Sequence, residues 1–114
     1  MSDVIIRNNS LRSSNSFTVG TSAVQVSGGP SSDWPLTAVS STFYPSYHRQ
    51  TLRICNNSTT ATLYVGSAGT VTASSGWIKE IGPGQYWDDN TNGSIPRWLI
   101  ASAASAPVTM EEYS

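Results

Sequence analysis

From Thr51 onward, apolar residues come in short runs that alternate with polar ones, and turn residues interrupt every run. Leu52 and Ile54 share one face of a strand, with Thr51, Arg53 and Cys55 on the other. Ala61, Leu63 and Val65 repeat the pattern after the turn-forming stretch Asn56, Asn57, Ser58, Thr59, Thr60. No stretch long enough for a helix carries a helical period. Short strands with a turn signal every ~8–12 residues predict an all-β chain, a β-sandwich or a jelly-roll-like barrel. The two runs flanking Asn56 and Asn57 read as a β-hairpin.

The rest of the chain fits that class. Trp77–Ile81 reads as a strand stopped by Gly82, Pro83 and Gly84. Gln85, Tyr86 and Trp87 begin another, and residues 88–93 read as a turn. Residues 98–101 and 108–110 supply the closing strands. Trp77, Trp87 and Trp98 fall in or beside strands, which favours core packing for them. Phe17, Thr18 and Val19, then residues 23–26, read as two further strands around Gly20 and Thr21. Residues 1–16 form a polar, extended N-terminal arm with one apolar knot, so the sandwich domain spans residues 17–114. Residues 27–49 form a long loop with Pro30, Pro35 and Pro45, which exclude a helix through most of it. Loops this long in a small domain are functional or disordered, and four aromatics, Trp34, Phe43, Tyr44 and Tyr47, argue for function.

Composition narrows the chemistry. The chain has 114 residues, 11% charged, with a net charge of −1. That length gives one domain. The charge gives no basic field for nucleic acid. The surface is polar but nearly neutral, which suits packing against copies of itself. The N-terminus has no signal-peptide pattern, and no apolar run approaches the ~18 residues of a membrane span. Cys55 has no partner for an internal disulfide and reads as a small buried hydrophobe.

No set of residues assembles into a catalyst. Nucleophilic catalysis needs a base beside the nucleophile, and the single histidine, His48, lies in no recognisable pattern. Asp88 with Asp89, and Glu111 with Glu112, are sequence neighbours that a strand points to opposite faces. Asp88, Asn90 and Asn92 with Gly93 match the first half of a calcium loop, but the twelfth position is Leu99 where a bidentate carboxylate belongs. A plain turn explains those residues as well. No cofactor is expected.

One resemblance adds to this reading. The stretch from Arg49 through Leu52, Arg53, Ile54, Asn56 and Ser58 resembles small virion proteins of tailed bacteriophages. So do residues 61–66, Val71 and Thr72, Gly76 to Ile78, and Ile81 to Gly84. Residues 17–23 and 100–104 fit the same pattern, and the long loop matches nothing in it. The resemblance implies a non-enzymatic structural protein of the virion. Its most specific form is a capsid decoration (cement) protein, made in the host cytoplasm and located on the capsid surface. Its partners would be the major capsid protein and itself, as a homotrimer, with no nucleic acid and no membrane. The expected contact residues are Val4, Ile5, Ile6 and Arg7 of the arm, Trp34, Phe43, Tyr44 and Tyr47 of the loop, and Arg53, placed to pair with a carboxylate. The alternatives are a glycan- or receptor-binding fibre module, with the loop aromatics as an exposed shelf, and a tail or neck structural protein of other symmetry.

Overall fold

A computed structural model of the chain describes residues 11–28, 51–91 and 95–113, and side chains from residue 14 on. Every regular element among them is a strand. They are β1 (Leu11–Val19), β2 (Val24–Ser27), β3 (Thr51–Asn56), β4 (Leu63–Gly66), β5 (Trp77–Ile81), β6 (Tyr86–Asp89), β7 (Arg97–Ala101) and β8 (Ala106–Tyr113). Two four-stranded antiparallel sheets result, β1-β8-β3-β6 and β2-β7-β4-β5. The first strand pairs with the eighth, the second with the seventh, the third with the sixth and the fourth with the fifth. This is one long hairpin, tipped by β4 and β5 and rolled into two layers. It is the jelly-roll form of the expected β-sandwich.

The alternation read from the sequence sets the layers. Leu52 and Ile54 of β3, and Val108 and Met110 of β8, point inward from the first sheet. Leu63 and Val65 of β4, Leu99 and Ala101 of β7, and Val26 of β2 meet them from the second. All are buried, and Phe17, Val24 and Trp87 pack against their margin.

The structure corrects the hairpin expected around Asn56 and Asn57. β3 and β4 do not pair, because they lie in opposite sheets. Alternation alone cannot separate a hairpin from an arch, since both bury one face of each strand. The choice falls to Asn56. Its buried side-chain NH2 donates to the carbonyls of Ala61 and Ile81, both at 2.9 Å. Its side-chain oxygen accepts from the Ser58 N–H at 3.0 Å. Ser58 Oγ in turn accepts from the N–H groups of Thr60 and Ala61. One amide thus carries the chain from one sheet to the other and satisfies the carbonyls that the crossing strands of their ladders. On the backbone side, Asn56 N donates to Gln85 O, and Gly84 N donates to Asn56 O. Gly84 reaches that position with a φ of 74°, open to glycine at little cost.

Three other boundaries move. β1 begins at Leu11, so residues 11–16 of the expected arm are strand. Their polar sequence gives no alternation to read, but the edge of the long strand β8 supplies backbone partners whatever the side chains. β6 runs through Asp89, so Asp88 and Asp89 are strand residues rather than a turn. Trp77 is no core residue: a register shift between Val65 and Gly66 turns its ring against Tyr64, 5.4 Å between centroids, on the outer side of the second sheet. Trp98 also stays half-buried, beneath Gly69. At Gly66, a Cβ would lie 2.5 Å from that of Val71, so only glycine lets the 67–76 connection pack down on β4.

Asn56→Ala is expected to cost about 3 kcal/mol, because it leaves the Ala61 and Ile81 carbonyls buried without donors. Asn56→Asp is expected to cost at least as much, since a carboxylate cannot donate to them. Urea denaturation of the two variants measures both losses. A hairpin at this position would make either change nearly neutral.

Candidate functional site

The jelly roll has two unlike ends. At one, the connections β1–β2, β3–β4, β5–β6 and β7–β8 are short and bonded to each other, as in Ala101 N to Gly20 O and Ser102 N to Thr62 O. At the other, Leu11 stands beside Tyr113, Thr51 beside Tyr113, and Ser27 beside Arg97. The chain therefore enters β1, leaves β2, enters β3 and finishes β8 at the same end.

That end holds the buried charge. Asp89 faces inward from β6, and its Oδ2 accepts from Arg97 Nε at 2.6 Å. Both side chains are largely buried, and the pair joins the two sheets. Arg97 also donates to the Pro96 carbonyl. Glu112, likewise buried, lies on the far side of Leu52 from Asp89, two strand spacings or roughly 9–10 Å away. The neighbours Asp88 and Glu111 point outward, as strand geometry requires.

The outer face of the first sheet carries a second network, centred on Arg53. Its Nε and Nη2 donate to the two carboxylate oxygens of Asp88 at 2.7 and 3.0 Å. Its guanidinium lies 4.2 Å from the centre of the Tyr86 ring and 5.5 Å from that of Tyr113. Tyr113 donates its hydroxyl to Glu111 at 2.7 Å. The Asp88 hydrogen bond raises the Arg53 pKa above its already high value, and the Glu111 hydrogen bond raises that of Tyr113. Arg53 thus pairs with a carboxylate, as its outer-face position predicts, and that carboxylate lies on the neighbouring strand β6. It is held inside its own subunit, which makes it a support for Tyr86 and Tyr113.

Asp88 has both oxygens engaged by Arg53, and Asn90 Oδ1 accepts from the Thr51 hydroxyl at 2.9 Å. These two residues of the half calcium loop serve the sheet, and Asn92 lies outside the described residues. Val4, Ile5, Ile6, Arg7, Trp34, Phe43, Tyr44, Tyr47 and His48 also lie outside them. Cys55, expected in the core, sits half-buried on the outer face beside Arg53. Partial burial, then the Glu111 charge, raises its thiol pKa.

The described surface adds what the sequence reading missed. Its exposed large apolar residues are Trp77, Ile78 and Tyr86, at 39%, 52% and 58%. All three belong to β5 and β6, edge strands on the same side of the sandwich. A cleft of about 370 Å³ lies there, lined by Lys79, Glu80, Ile81, Gly84, Gln85 and Tyr86. The β5 signal was visible as two large apolar residues next to each other, Trp77 and Ile78. An alternating strand cannot bury both.

Arg97→Met is expected to cost about 3–5 kcal/mol, since it leaves Asp89 charged in a buried place. Asp89→Asn combined with Arg97→Met recovers part of that loss, and thermal unfolding of the two variants separates the terms. Cys55 is expected to react with iodoacetamide more slowly than free cysteine at pH 8, with its half-maximal rate above the ordinary thiol range. A rate profile against pH reads this directly.

Comparison with protein families, with curated proteins and with solved structures finds no match for this chain.

Proposed function

We propose that this chain is a non-enzymatic structural protein of a tailed-phage virion, and specifically a decoration protein that binds the outer surface of the assembled head. The observation that carries the reading is the pair Trp77 and Ile78, held exposed on the rim of an otherwise well-packed sandwich. Apolar side chains displayed on a rigid edge mark a contact surface for another protein. The resemblance to small virion proteins supplies the kind of partner, the major capsid protein and further copies of the chain. The jelly-roll topology is in keeping with this, as viral capsid proteins use it, although fold analogy alone assigns no function.

The β5 edge also limits how the contact is made. The register shift at Gly66 breaks the ladder, and Lys79 stands opposite Val65 on the core-directed side of an edge strand. Both devices discourage the addition of a strand from another chain. The contact therefore runs through side chains. As a homotrimer, the protein would present several such patches together and gain avidity from simultaneous contacts. Because it binds the assembled lattice and not free subunits, mass action favours the closed shell.

The test is the mass of the purified protein by light scattering, followed by co-sedimentation with empty heads. A trimer that pellets with heads is the expected result. Trp77→Ser with Ile78→Ser is expected to abolish pelleting with a modest fall in the unfolding midpoint from the lost Tyr64 contact. Ile78→Ser alone, at a half-exposed site, is expected to weaken pelleting with the midpoint close to wild type. A ring of higher symmetry that ignores heads moves the protein to the neck or tail. A monomer that ignores heads removes the decoration role.

A further inference from the structure

The cleft between β5 and β6 differs from the apolar rim beside it. Tyr86 forms one wall, and the Arg53 guanidinium under one ring face leaves the other face open. Arg53 is itself fixed by two hydrogen bonds to Asp88, so the ring is a held platform rather than a free side chain. Lys79 and Glu80 of β5 also line the cleft, and neither forms an ion pair with any described residue. Gln85 completes the wall. Its side-chain oxygen accepts from Gly82 N at 3.1 Å, which fixes the amide and leaves its NH2 as a donor.

We infer that this cleft is a saccharide-binding site, with the open face of Tyr86 as the stacking platform and Lys79, Glu80 and Gln85 as hydroxyl partners. Three features favour a sugar over a protein. Covering Lys79 and Glu80 with a protein surface would strip water from two charges, and such charges are depleted in interface cores. A sugar hydroxyl both donates and accepts, so it can serve an ammonium, a carboxylate and an amide while leaving them partly hydrated. A sugar ring also presents an apolar C–H face, which matches a tyrosine that pairs an apolar surface with a polar tip. The cleft volume of about 370 Å³ falls within the ~300–1,000 Å³ range of small-ligand sites. Arg53 acts here as a positioning residue, because it meets the back of the ring and not the ligand.

The inference is separable from the decoration role, since its site is Lys79, Glu80, Gln85 and Tyr86 rather than Trp77 and Ile78. The experiment titrates the isotope-labelled full chain with methyl glycosides of glucose, galactose, mannose and N-acetylglucosamine, and with maltose, lactose and chitobiose, following backbone amide shifts. At least one saccharide is expected to move Lys79, Glu80, Gly84, Gln85 and Tyr86 together. Tyr86→Ala is expected to weaken that saccharide by about tenfold, the loss of one aromatic stack, while Tyr86→Phe keeps most of the affinity. Arg53→Ala is expected to weaken it less than Tyr86→Ala and to broaden the Tyr86 ring resonances. If no saccharide shifts these residues, if the shifts cluster elsewhere, or if Tyr86→Ala binds like wild type, the inference is overturned. Head co-sedimentation of Tyr86→Ala stays at the wild-type level in every case, so the two readings fail separately.

Discussion

The buried amide of Asn56 stands where the chain leaves one sheet for the other, and the roll depends on that crossing. A backbone passing between layers loses ladder partners on both sides, and each orphaned buried group costs free energy comparable to a lost hydrogen bond. Asn56 supplies two donors and one acceptor at that place, tying the arch to Ala61 and to the end of β5 at Ile81. Its backbone also binds the β5–β6 turn through Gln85 and Gly84. Two connections that are distant in sequence, β3–β4 and β5–β6, therefore converge on one residue. The cleft wall formed by Gly84, Gln85 and Tyr86 inherits its position from the same contacts.

The few charges of the chain are used with economy. Arg97 and Asp89 join the sheets from inside, where losing either leaves an uncompensated charge. Arg53 and Asp88 lie about one-third exposed, so solvent screens the pair and its worth in stability is small, of order 1 kcal/mol or less. Its larger effect is geometric, holding the rings of Tyr86 and Tyr113 in place. One face is thereby ordered without being buried, and the β5–β6 side keeps exposed side chains with defined positions.

Much of the fold was legible as alternation. Leu52 with Ile54, and Leu63 with Val65, were assigned to the core by period alone, and Trp77–Ile81 and the closing strands follow from their turn residues. The polar half of β1 was not legible, because its strand comes from backbone pairing with β8 and not from its own pattern. The exposure of Trp77 was not legible either, since it depends on a register shift against Gly66. Of the candidate site, Arg53 was named from sequence as a contact residue, and its partner Asp88 was taken for a turn residue or half of a calcium loop. Tyr86 had no distinguishing signal, as its exposure and its support from Arg53 arise only when β6 lies beside β3.

The sequence by itself determined that the chain is all-β, which faces of β3 and β4 are buried, and that charge is scarce. Those properties are local: a period of two, the chemistry of turns, and a count of residues. Only the tertiary structure decided that β3 and β4 part into separate sheets, that Asp89 goes in while Asp88 goes out to Arg53, and that Trp77, Ile78 and Tyr86 stay exposed on edge strands. Each of these depends on which strands become neighbours. Alternation names a strand's inner face but not the strand beside it, and that choice is made by long-range contacts such as the Asn56 amide and the Arg97–Asp89 pair.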